Sequence, residues 1–185
     1  MNAILVSIIL ASTPVPSGPA GLSMHETAVS PLEIRPASFE DVQTIRGSKG
    51  DVVLIVVADY VADPLAAHIA QLQSDIASEG WTVQLHVMSG GTAEDIKFLF
   101  QNTPDLDGAV LVGFLPCAWY EEDYWAPEEF PCELFLMDLD GVWGDSDSDG
   151  LYDSHTGDVA PEIWIGRIDA HSAYGPELLL LAGYF

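Results

Sequence analysis

The sequence predicts an α/β domain built on a parallel sheet, and three observations carry that reading. Asp51-Val-Val-Leu-Ile-Val-Val-Ala-Asp59 is a continuous apolar, β-branched run, the pattern of a strand buried on both faces. Two more strand-like runs follow, at Trp81–Met88 and Ala109–Gly113. Between the three runs lie segments with helical apolar spacing. Strand, helix, strand, helix, strand implies right-handed crossovers and parallel pairing. In such sheets ligands and catalytic groups gather at the carboxyl ends of the strands.

Each element has its own signal. Residues 1–20 combine a short apolar run, Ala3–Ala11, with a Ser-Thr-Pro-Val-Pro-Ser-Gly-Pro-Ala stretch, the form of a signal peptide too short to span a bilayer. Residues 21–50 are rich in Pro, Ser and Gly and read as a linker, with a short extended piece around Ala28–Ile34. The folded domain is expected over 51–185. Asp63 and Pro64 offer an N-cap and a first helical residue, and Leu65, Ile69, Leu72 and Ile76 form one stripe at 3.6 spacing. Glu79-Gly80 stops that helix. In the next strand Trp81, Val83, Leu85 and Val87 alternate. Thr92 with Asp95 is a variant capping box for a helix whose Ile96, Leu99 and Phe100 face inward. After Gly113 a long aromatic and acidic loop covers 114–130. Glu133–Asp138 reads as a strand, 140–158 as a polar loop and Glu162–Gly166 as a strand. A last apolar helix after Gly175-Pro176 ends the chain without a polar tail, as a truncated element would.

The formal net charge is -24, with only Lys49, Lys97, Arg35, Arg46 and Arg167 positive. Such a chain repels nucleic acid and anionic head groups and attracts cations. Cys117 and Cys132 form one disulfide if the protein is exported and geometry allows, or stay as two buried thiols in a reducing compartment.

The sharpest chemical signal is Asp145-Ser-Asp147-Ser-Asp149-Gly150-Leu151-Tyr152-Asp153, the first half of a D-x-D-x-D-G calcium loop. Calcium takes about six to eight oxygens at about 2.3–2.6 Å. Alternate residues of a tight loop converge, which makes Asp145, Asp147 and Asp149 ligands. Gly150 permits the sharp turn. The Leu151 carbonyl supplies the next oxygen, and Asp153 ligates directly or through water. The closing Glu of an EF-hand is replaced by Thr156, so Asp158 substitutes for it, and Asp138 or Asp140 can add ligands. Strands rather than helices flank the loop, so the expectation is a calcium-stabilised loop and not an EF-hand switch. No Lys or Arg occurs between Lys97 and Arg167, so side-chain cations are not expected to neutralise the segment locally.

No catalytic residue is assigned. Cys117 follows the third strand, but nothing in the sequence brings His86 or His155 within its reach. Trp119, Tyr120, Tyr124 and Trp125 fit the packing of a long loop better than a ligand groove. Arg167 is read as a structural partner for an acid of the segment.

Three stretches together resemble the gingipain family of cysteine peptidases: Val53-Leu-Ile-Val-Val-Ala-Asp59, Ala109-Val-Leu-Val-Gly113 and Pro161-Glu-Ile-Trp-Ile-Gly-Arg167, the last similar to a P-x-I-x-x-G-R strand. The calcium-like insert just before that strand is also similar to bacterial members. The resemblance covers about Asp51 to Phe185. It implies a caspase-like, three-layer architecture of which this chain is the first subdomain, with the acidic calcium-binding loop as an insert. It also implies that the full-length protein hydrolyses a peptide or protein substrate by a His–Cys dyad in a missing C-terminal catalytic subdomain. Members commonly carry Asp where this chain has Phe114, and nothing here aligns with the dyad, so no catalytic residue transfers. The chain is therefore expected to be the secreted, inactive front half of such a peptidase. A non-enzymatic calcium-stabilised adhesion or surface module competes with that reading. A flavodoxin-like ligand-binding domain would need a glycine-rich loop after the first strand, and none is present.

Overall fold

A computed structural model of the chain describes residues 35–124, 127–171, 173 and 175–185. The expected signal peptide and the extended piece at Ala28–Ile34 lie outside the described residues, as does Trp125. The chain runs β1 (Ser38–Ile45), β2 (Val52–Ala58), α1 (Asp59–Ala62), α2 (Ala66–Ser78), β3 (Thr82–Ser89), α3 (Ala93–Gln101), β4 (Leu106–Val112), β5 (Trp119–Glu122), β6 (Glu128–Pro131), α4 (Leu134–Met137), β7 (Val142–Gly144), β8 (Ser154–Thr156), β9 (Trp164–Ile168) and α5 (Glu177–Tyr184).

The central sheet has the order β1-β3-β2-β4-β9, with β3, β2, β4 and β9 parallel and β1 antiparallel on the edge. Every residue of β2 is buried, as its unbroken apolar run requires of a strand covered on both faces. The chain leaves β2 in one direction to form β3, then crosses back over β2 to form β4. The right-handed rule for parallel crossovers then sets α2 and α3 on opposite faces of the sheet. Ile96 and Phe100 of α3 and Leu65 and Ile69 at the start of α2 are buried against it.

Several expectations need correction. The linker does not extend to residue 50, because Ser38–Ile45 pairs with β3 as an edge strand. Most of β1 is exposed, so its own sequence carries no apolar alternation; it is held by backbone pairing to a strand that was itself legible. Glu133–Asp138 is not a strand. Leu134–Met137 makes one helical turn in which the adjacent Phe135 and Leu136 are both buried, which alternation in a half-buried strand forbids. A short apolar run does not by itself distinguish the two. The first long helix starts at Ala66; Asp63 instead closes the short α1. In β3, His86 and Met88 are buried as well as Val83 and Leu85, because an interior strand has no solvent face. The Thr92–Asp95 capping box is present: the Thr92 amide donates to Asp95 Oδ2 at 2.9 Å, and the Asp95 amide donates to Thr92 Oγ1 at 3.4 Å.

The crevice between the carboxyl ends of β2 and β4, where the strand order reverses, is the usual ligand position in such a sheet. Here side chains bridge it. The Tyr60 hydroxyl accepts from the Phe114 amide (2.8 Å) and donates to Glu177 Oε1 (2.7 Å). The Phe114 ring stacks on His171 at 3.9 Å. No helix among the described residues is long and apolar enough to cross a membrane.

Candidate metal centre

The two loops that the sequence left without regular structure each fold into a small hairpin, β5 with β6 and β7 with β8. The acidic loop joins β7 to β8. Just before β8 the chain runs beside β5: the Glu121 amide donates to the Tyr152 carbonyl and the Tyr152 amide to the Trp119 carbonyl, both at 2.9 Å. That pairing delivers a residue the sequence reading missed. Glu121, Asp147 and Asp149 each offer a carboxylate oxygen, and the three oxygens lie within 4.8 Å of one another. We call this group the tip. None of its three members forms an ion pair among the described residues. The Glu121 pKa is pushed up, first by loss of solvent and then by the charges of Asp149, Asp147, Asp153 and Asp123.

The other expected ligands have defined places around the tip. Asp145 organises the turn, its Oδ1 accepting from the Ser148 amide (2.7 Å) and its Oδ2 from the Gly150 amide (3.0 Å). Gly150 has φ +97, a left-handed conformation that suits glycine. Asp149 Oδ1 accepts from the amide of buried Leu151 (2.9 Å). Asp153 Oδ2 accepts from the Ser146 amide (3.0 Å) and hydroxyl, and these bonds hold its pKa below the usual carboxylate range. Its Oδ1 is buried and has no hydrogen-bond donor. Asp158 accepts from the Ala160 amide (3.1 Å) and is not in the tip group.

A second group, the root, gathers Asp138, Asp140 and Glu162 within the same 4.8 Å. Its centre is Asp138, fully buried. Asp138 Oδ1 accepts from the Gly141 amide (2.8 Å); Oδ2 accepts from Trp143 Nε1 (2.9 Å) and meets His155 Nε2 at 2.7 Å. Burial disfavours its charge, but those three bonds and the Lys97 ammonium outweigh burial and hold its pKa below the ordinary range. Glu162 Oε2 accepts from the Leu139 amide at 2.6 Å. Lys97 is 6 % exposed, with its ammonium over the Phe135 ring (4.5 Å) and near the Trp143 ring (5.9 Å). Burial lowers its pKa, and the charges of Asp138, Glu162 and Asp140 oppose that. The root thus has a cation near it, but the Lys97 ammonium forms no hydrogen bond or ion pair with its carboxylates. Lys97 stands far off in sequence, but α3 packs on α4 and carries it there.

Most of the remaining candidates are engaged elsewhere, and His86 lies buried in β3. Arg167 pairs with Glu133 (Nε to Oε1, 2.6 Å) and donates to the Leu115 (2.7 Å) and Pro116 (3.1 Å) carbonyls, the structural role expected of it. Cys117 and Cys132 form no disulfide. Trp119 faces Pro131 across the β5–β6 ribbon, so the register extended one step sets Ala118 against Cys132, whose amide donates to the Ala118 carbonyl (2.8 Å). Cys117 is thus one residue out of step with Cys132. His155 is bound to Asp138, His171 to the Phe114 ring, and His68 stacks on Phe185 at 5.9 Å. Of the loop aromatics Trp119 is buried, Tyr120 packs against Phe130 at 5.7 Å, and Tyr124 is exposed. Compared with known proteins, the chain matches no family model, no curated protein and no solved structure.

Proposed function

We propose that this chain is an exported, calcium-stabilised α/β module, the non-catalytic front half of a gingipain-like cysteine peptidase that acts on peptide or protein substrates when joined to its catalytic subdomain. The observation that carries the calcium reading is the tip: Glu121, Asp147 and Asp149 converge without a cationic partner among the described residues, and the charge of Asp153 also acts on Glu121. All four groups are carboxylates, hard oxygen donors that suit calcium and lack the imidazole or thiolate that zinc prefers. The negative charge of the segment supports cation binding in the same sense. Bound there, calcium would tie the β5–β6 hairpin to the acidic loop through Glu121. The parallel sheet and the engagement of His68, His155 and His171 in structural contacts support a scaffold role for this chain.

Thermal melts in chelator, calcium and magnesium test the reading. Free calcium at about a hundred times its dissociation constant stabilises the folded state by about 2.7 kcal/mol. Magnesium does much less, because it demands a smaller and stricter octahedron. Asp147→Ala removes most of the calcium response. Equal shifts with both metals, unchanged in the variant, would sink the calcium assignment. A peptide-library assay with calcium and reductant tests the second half of the reading. No cleavage is expected, and thiol-dependent cleavage abolished by Cys117→Ala would make this chain an enzyme in its own right.

A further inference from the structure

β3 carries a buried histidine that bonds to nothing. His86 is 9 % exposed, and neither ring nitrogen has a hydrogen-bond partner. In the sheet it stands between Val56 of β2 and Asp41 of the edge strand β1, its register partners on the two sides. The β1 pairing is irregular immediately after Asp41, where the register shifts before Gln43. β1 itself is mostly exposed and is held chiefly by its ladder to β3. The closure over His86 therefore depends on an exposed edge strand whose ladder is irregular beside the ring.

A neutral imidazole tolerates such a place; an imidazolium loses its hydration there and needs a compensating partner. The elements packed against β3 are β1, β2, α1 and α2. Their titratable and charged groups are Glu40 and Asp41 on β1, Asp59 and Tyr60 on α1, and His68 and Asp75 on α2; β2 has none. Of these, Asp41 is the one whose charge acts on the ring, and it is exposed, so water screens it. We propose that β1 is an acid-labile clasp, and that protonation of His86 favours a state in which β1 has left the edge of β3 and the ring is rehydrated.

Burial lowers the pKa of His86 in the closed state, and Asp41 raises it by less. The closed state is therefore fully favoured above the ordinary histidine value of about 6.5. It loses ground as pH falls below that value toward the depressed one. The His86→Leu control separates the effect of the ring from that of the carboxylates.

Hydrogen exchange of the whole chain, corrected for intrinsic rates, reads the clasp directly. Between pH 7 and pH 5 the amides of Ser38–Ile45 should exchange several-fold faster, while those of β2 stay protected. His86→Leu should abolish the pH-dependent part. Asp41→Asn should enlarge it, because the only opposing charge is gone. A flat β1 profile in the unaltered chain, or the same rise in His86→Leu, overturns the proposal. If His86→Leu does not fold, the ring C2 proton of the unaltered chain can be titrated by NMR. A closed-state value at or above 6.5 would overturn the clasp as well, and a lower one supports it.

Discussion

The root and the tip are two groups of three carboxylates on one acidic segment, and their surroundings are opposite. At the root, Asp138 is fully buried and satisfied by Gly141, Trp143 and His155, with the Lys97 ammonium held nearby over two aromatic rings. At the tip, Asp147 and Asp149 are exposed, Glu121 is half-buried, and their charges push on one another with no cation supplied by the described residues. A string of acids in a sequence thus mixes two different things. Some carboxylates act as internal hydrogen-bond acceptors that organise a hairpin. Others are left without a cationic partner among the described residues, and a bound cation would relieve their repulsion.

Removing the centre of the root should produce the largest effect. Asp138→Ala deprives three donors of their buried acceptor and removes a carboxylate whose charge favours the Lys97 ammonium. Breaking a buried charged arrangement from one side destabilises by about 3–5 kcal/mol. Chelator and calcium should leave that loss unchanged. The pH dependence follows from the depressed pKa of Asp138. Its contribution is whole above the unfolded carboxylate value of about 3.9 and fades as pH falls through the folded one. Asp138→Asn should therefore flatten the acid limb of the stability profile below about pH 4. Urea melts across pH measure both effects, and a mild, calcium-dependent loss would show that root and tip are one site.

Glu121→Gln sharpens the comparison from the other side. In calcium it should lose most of the stabilisation, as Asp147→Ala does, because it deletes the oxygen that the β5 strand contributes. In chelator the sign should reverse, since one of three crowded charges is gone. Its melting temperature should then lie slightly above that of the unaltered chain. A Glu121→Gln protein with an intact calcium response would restrict the site to the loop residues alone.

The legible parts of this chain were those with dense local patterns. The apolar run of β2, the stripe of Leu65, Ile69, Leu72 and Ile76, and the Thr92 cap state their roles within a few residues. Asp147 and Asp149 come together as their alternation suggests, but Asp145 is not in their group and turns both its oxygens to amides of its own loop. Glu121 was hidden because its place depends on β5 running beside Tyr152, a pairing that no short window contains. Lys97 was hidden for the same kind of reason, since it reaches the root only through the packing of α3 on α4. β1 carries almost no apolar signal because most of its side chains face water. The helical turn of α4 is too short for its period to show. What the sequence obscured was register and packing between elements, not the chemistry of the residues involved.

The smallest effect should come from the residue that lies between the two groups. Tyr152 stacks on Phe135 at 4.8 Å and meets Trp143 edge-on at 5.9 Å, both beside the root, while its backbone pairs with β5 beside the tip. Its hydroxyl donates to Glu94 Oε1 on α3 at 2.6 Å, and burial together with that carboxylate keeps the phenol protonated far above neutral pH. Tyr152→Phe preserves the ring and removes only this bond, for an expected loss of about 1 kcal/mol. If the root is a rigid platform and the tip a separate cation site, calcium affinity should not change, because neither the rings nor the backbone pairing has been touched. Calorimetric titration of calcium into the Tyr152→Phe protein decides the point. A weakened calcium affinity at intact fold would mean that the anchor of α3 to the loop sets the spacing of Glu121 from Asp147 and Asp149, and that the two acidic groups work as one unit.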